Sequence, residues 1–208
     1  MLTTEVLLTF FTASVLLGLA PGPDNIFVLT QSTLQGRGAG LMVTLGLCTG
    51  LVVHSLAVAF GAAAIFQSSE LAFTLLKLVG AGYLLYLAWG IFRASPASLE
   101  SPAASVPGKA ALYRRGIIMN ITNPKVSIFF LAFLPQFADP ARGSVALQIV
   151  CLGGLFILAT ILVFSGVAIT AGRLRTWLLK SERMQLWINR LAGTVFVGLA
   201  LRLATAQR

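Results

Sequence analysis

Three ionisable side chains, Asp24, His54 and Lys125, lie well inside long apolar stretches of this chain. A charge in hydrocarbon is expensive, so residues of this kind mark polar paths. Two of them directly follow helix breakers. Asp24 ends Ala20-Pro21-Gly22-Pro23-Asp24 and is followed by Asn25, while Lys125 ends Asn120-Ile121-Thr122-Asn123-Pro124-Lys125. Pro has no N–H and Gly relaxes the backbone, so Pro21, Gly22, Pro23 and Pro124 should each help interrupt a helix. A half-helix beginning after such a break has free N–H groups and a partial positive charge, able to hold a carboxylate. Lys125 would reinforce that charge. Asp24 and the carbonyls freed before Pro21 would suit an ammonium group. The chemistry expected is binding of a small zwitterion, one end at each break. Asn25, Asn120 and Asn123 would line the breaks and satisfy opened backbone. His54 suits either a proton relay or a packing bond to a neighbouring hydroxyl or carbonyl.

The elements that position these groups follow from composition. Of 208 residues, 57% are hydrophobic and only 10% charged, with mean hydropathy +0.90. A soluble domain carries about 25% charged residues. Several apolar runs reach the roughly 20 residues that span a bilayer as helix. The expectation is an all-α integral membrane protein with six transmembrane helices: 6–34, 41–66, 71–92, 116–137, 145–171 and 187–204. The first and fourth are broken. Residues 93–115 read as a flexible Ser/Pro/Ala linker, and 173–183 as a short basic segment on the membrane surface. Met1 to Glu5 shows no basic n-region, so no cleavable signal is expected.

Basic residues collect on one side: Arg37, Arg93, Lys109, Arg114, Arg115, Arg173, Arg175, Lys180 and Arg183. The positive-inside rule makes that side cytoplasmic and both termini external. The net charge of +9 is thereby assigned to anionic lipid, not nucleic acid. Lys77, Arg190 and Arg202 should snorkel near span ends, and Trp89, Trp177 and Trp187 should anchor at the interfaces. The chain also looks duplicated. Pro23-Asp24 is answered by Pro124-Lys125, Cys48-Thr49-Gly50 by Cys151-Leu152-Gly153, and Ala81-Gly82 by Ala192-Gly193. Three spans per half is odd, so repeats 1–92 and 116–208 must cross in opposite directions. Inverted repeats with matching broken helices point to a secondary transporter.

Depth agrees with a shared midplane site. Arg115 precedes Pro124 by nine residues, roughly 13 Å of helix, and Arg37 follows Pro23 by fourteen, roughly 21 Å before tilt. Other functions were weighed on their residues. Cys48 and Cys151 could serve a membrane thiol–disulfide relay, but neither has an adjacent Cys-x-x-Cys or helix break to activate it. No Gly-x-Ser-x-Gly stretch supports an intramembrane enzyme. A small-solute channel would be separated from a carrier by dependence on the proton gradient. No metal or cofactor is expected. Small-residue faces would serve packing within the chain or in a homo-oligomer.

Gly18-Leu19-Ala20-Pro21-Gly22-Pro23-Asp24-Asn25 resembles the helix-breaking signature of the LysE/RhtB family of amino-acid exporters. Similar too are Gln35-Gly36-Arg37-Gly38-Ala39-Gly40, Gly46 with Gly50, Tyr83-Leu84-Leu85-Tyr86-Leu87-Ala88, Asn120 to Lys125, and Phe196-Val197-Gly198-Leu199-Ala200-Leu201-Arg202-Leu203-Ala204. The resemblance covers nearly the whole chain in order. It implies a bacterial inner-membrane protein with six spans, exporting amino acids or related metabolites against protons. Relatives more often carry Asn directly after Pro-Gly-Pro. The resemblance therefore makes Asp24 a tuner of substrate charge or coupling, and not a family-wide proton carrier.

Overall fold

In a computed structural model, residues 2–68, 70–94, 107–179 and 182–205 are described. Most of the expected linker, 95–106, and the side chain of Trp177 lie outside them. The described residues are mostly helical, with short breaks and turns between the helices, and contain no strands. Helix α1 (Thr4–Leu19) starts on a Thr3 cap, whose hydroxyl accepts from Val6 N at 3.3 Å. It stops because Ala20 precedes a proline and is driven to extended backbone. Helix α2 (Pro23–Gln35) restarts with Pro23 in its first turn, where a missing N–H does no harm. The two are bent by 61°. Gly36, at φ 82°, ends α2 in a conformation that L side chains resist.

The long helix α3 (Arg37–Ser68) and helix α4 (Glu70–Arg93) follow. Helix α5 (Lys109–Thr122) ends where Asn123 turns extended before Pro124. Helix α6 (Pro124–Ile128) continues as a π turn, Phe129–Phe133, and a 3-10 turn, Leu134–Phe137. The α5–α6 bend is 51°. Helices α7 (Val145–Leu179) and α8 (Glu182–Thr205) complete the chain.

Two boundaries differ from expectation. Helix α5 begins at Lys109, so Lys109, Arg114 and Arg115 are helical and not part of a loop. Helix α7 runs through Arg173 to Leu179 without a break, so the basic stretch prolongs the fifth span. Both stretches lack Pro and are rich in good helix formers, so nothing local stops an established helix.

Among the described residues, three helices are long and apolar enough to cross a membrane: 37–61, 145–174 and 185–205. The count rises to five if each bent pair is one span. Large apolar side chains such as Leu8, Phe60, Val79, Leu162 and Leu191 face outward. Helix α3 is the hub, packing on α5, α7 and α2, while α4 packs on α8 and α7 also holds α1 and α2. Gly46 and Gly116 let α3 and α5 touch. A Cβ on Gly116 would stand 2.5 Å from Val43 O. One core gathers Phe10, Phe129, Phe130, Phe133, Phe137 and Phe156 from α1, α7 and the α6 continuation. A second, around Val28, Val43, Leu47, Leu112 and Phe164, joins α2, α3, α5 and α7. Leu17, Ala20 and Val126, beside the two breaks, belong to the first of these cores.

Candidate functional site

The breaks at Pro21–Pro23 and Pro124 come together across the two halves of the chain. In a helix, the carbonyl of residue i takes the N–H of residue i+4. Pro21 therefore deprives Leu17 O of its helical partner, and Pro124 does the same to Asn120 O, which takes the Asn123 N–H at 3.1 Å instead. Each of these carbonyls receives a side-chain donor from a different helix. Lys125 Nζ, from α6, donates to Leu17 O at 3.4 Å and to Ala20 O at 3.2 Å. His54 Nε2, from α3, lies 3.2 Å from Asn120 O. A carbonyl can only accept, so that contact requires the proton on Nε2. The His54 ring also lies 5.6 Å from that of Phe130.

Asn123 fastens the breaks directly. It caps α6, its Oδ1 accepting from Lys125 N at 3.0 Å, and its Nδ2 donates to Asp24 Oδ2 at 2.9 Å. Asp24 is 2% exposed and Lys125 7%. The two are electrostatic neighbours, yet no direct ion pair joins them. Asn123 holds one group and the α1 carbonyls hold the other. Asp24 also sits in the first turn of α2, where the helix dipole favours an acid. Asn25 Nδ2 reaches back to Gly18 O at 2.7 Å, stitching α2 to the last turn of α1.

All ten residues singled out from the sequence lie at these two breaks or in contact with them. The division of labour differs from the one expected. The carbonyls freed before Pro21 do receive an ammonium, but it belongs to Lys125 and not to a ligand. Among the described residues, three buried side-chain oxygens have no hydrogen-bond partner: Asp24 Oδ1, Asn25 Oδ1 and Asn120 Oδ1. Buried acceptors are normally satisfied, and leaving one unmade costs about 1–3 kcal/mol. All three are acceptors, and one is on a carboxylate. Each can accept an N–H, and a primary ammonium carries three.

One further part of this site was legible in the sequence and one was not. The α1 carbonyls were legible through the i+4 rule, because Pro21 names Leu17. Gly50 was not legible as a site residue. It faces Asn120 so closely that a Cβ would lie 2.6 Å from Asn120 Oδ1. One residue away, Thr49 Oγ1 and Tyr113 Oη meet at 2.9 Å and close α3 on α5. Cys48 is buried, Cys151 is exposed, and both are free thiols. A cleft of about 260 Å³ opens elsewhere, between the end of α8 and the 3-10 turn. Arg202 lies over Phe137 there, at 4.9 Å, and none of the ten candidate residues lines it.

The family model for the LysE type translocator matches residues 15–207. The chain is 34% identical to the homoserine/homoserine lactone efflux protein of Salmonella typhi, over 99% of each chain. It is 33% identical to the protein of the same name in Salmonella typhimurium, again over 99% of each. An uncharacterised membrane protein of Pseudomonas aeruginosa is 30% identical over 95% of this chain and 94% of its own. No solved structure matches the chain.

Proposed function

The chain belongs to the LysE type translocator family, and from that premise we propose that it exports amino acids or closely related small metabolites across the bacterial inner membrane. Transport proceeds by alternating access around the two breaks, as a translocator and not as an enzyme. Six crossings are proposed, the bent pairs α1–α2 and α5–α6 each counting once beside α3, α4, α7 and α8. They form inverted repeats 1–92 and 116–208, joined by a cytoplasmic linker, with both termini external. The packing of α3 on α7 and of α4 on α8, each against its repeat counterpart, supports this arrangement.

The observation that carries the functional reading is the set of unpartnered buried oxygens on Asp24, Asn25 and Asn120. In this reading the substrate's ammonium binds between the breaks, at Asp24 and these amide oxygens. Homoserine and its lactone, the compounds in the relatives' name, share an ammonium-bearing carbon, and only one has a free carboxylate. Recognition through the ammonium fits both. Export is coupled to inward proton flow, with Asp24, Lys125 and His54 as the ionisable groups at the breaks.

The test is efflux from proteoliposomes loaded with a panel of labelled amino acids and homoserine lactone, with and without a proton gradient. Gradient-stimulated efflux of at least one amino compound is expected. Efflux indifferent to the gradient would indicate a channel, and no efflux of any compound would refute the reading.

A further inference from the structure

We infer that Lys125 is a tethered competitor of the substrate's ammonium, and that it is the group whose proton is exchanged for substrate. The inference rests on the exporter reading above and deepens it. The geometry behind it is the seat of Nζ, on Leu17 O and Ala20 O at the C-terminal, partially negative end of α1. Asp24 is the charged group acting on Lys125 there. Helix α1 offers the carbonyls of Leu17 and Ala20, α3 reaches the same junction with His54 through Asn120 O, and α4, which carries Lys77, also packs on α6. Without ligand, the lysine thus supplies the cation that a buried carboxylate and two orphaned carbonyls require.

A substrate ammonium arriving at Asp24 would place two cations beside one carboxylate in a dry site. That excess is relieved when Lys125 releases its proton to the cytoplasmic side and leaves its seat as a neutral amine. Once substrate departs outside, the amine takes a proton from that side and returns to the carbonyls. The empty carrier then resets with the lysine's charge near its carboxylate. One proton enters for each substrate exported, and no bond other than N–H is made or broken.

Net efflux needs the empty carrier to return, whereas exchange of internal for external substrate does not. Lys125→Met should therefore keep exchange within about threefold of wild type while net efflux falls at least tenfold and loses its response to a proton gradient. Methylammonium supplied outside should restore net efflux to Lys125→Met by filling the lysine's seat, and leave wild type unchanged. Should Lys125→Met fail to accumulate, Gly22→Ala decides. Its backbone, φ −171° and ψ 174°, accepts any residue, and its Cβ would stand 3.0 Å from Lys125 Nζ, crowding the tethered ammonium. It should raise the ratio of exchange to net efflux at least twofold.

The probe is labelled homoserine, or whichever panel compound wild type moves fastest, in proteoliposomes. Equal loss of exchange and net efflux in Lys125→Met, or an unchanged ratio in Gly22→Ala, would overturn the inference while leaving the exporter reading intact. A wild-type protein that moves none of the panel would overturn both.

Discussion

Gly50→Ala adds a single methyl group where α3 meets α5, and its consequence can be worked from three distances. The new Cβ would lie 2.6 Å from Asn120 Oδ1, 2.7 Å from Asn120 Cβ and 3.0 Å from Asn120 Cγ, against ordinary contact beginning at 3.4 Å. The helices must part by about 0.8 Å, or Asn120 must leave its place. Parting is resisted by Gly46 and Gly116, whose backbones already touch, and by the Thr49–Tyr113 hydrogen bond. Overpacking of this kind costs about 1–3 kcal/mol. Helix propensity alone would favour Ala over Gly by up to about 1 kcal/mol. The two effects have opposite signs, so the direction of the change discriminates between them. Gly50→Ala should melt below wild type in detergent, and efflux should fall about 5- to 150-fold at equal membrane abundance if the loss falls on forming the site. Asn120→Gly in the same chain should recover most of the stability. Asn120→Ala should not, because the Asn120 Cβ is itself one of the clashing atoms. A Gly50→Ala protein as stable as wild type, or more so, would refute the close approach and its role in setting Asn120.

Other substitutions test separate parts of the site. Asp24→Asn can keep an oxygen toward Asn123 Nδ2, so the protein should insert normally while labelled efflux falls at least tenfold; efflux at the wild-type rate would remove the need for a carboxylate. His54→Ala removes the side-chain donor to Asn120 O, which keeps the Asn123 N–H, and should cost about 0.5–1.5 kcal/mol in detergent melts, with recovery in His54→Gln, which keeps an N–H. Cys48→Ser with Cys151→Ser should export as wild type. In the native protein a lipid-soluble maleimide should label Cys151 and spare buried Cys48, and loss of export in the double variant would revive a thiol relay.

Much of this was legible along the chain. Apolar runs announced membrane-length helices because hydrocarbon forbids unpaired backbone polar groups, which leaves helix as the simplest spanning form. Both bends could be placed because proline acts locally, through its missing N–H and its clash with the preceding residue. The helix ends near Lys109 and Leu179 were misplaced because charge density was read as a boundary. Charge sets depth in a membrane without halting a helix that carries no breaker.

What the sequence determined by itself is therefore the set of strictly local consequences: the apolar spans, the two interruptions, and the buried Asp24 and Lys125 beside them. Which donor meets which acceptor was decided only by tertiary structure. Asp24 and Asn123 are 99 residues apart, and Lys125 stands 108 from Leu17. A hydrogen bond between such partners depends on angstrom-scale helix approach, set here by glycine contacts and the two apolar cores. Proline dictates that Leu17 O and Asn120 O lose their helical i+4 partners, and the Asn123 N–H makes up locally only for Asn120 O. Only the packing of α6 against α1, and of α3 against α5, selects Lys125 for one and His54 for the other.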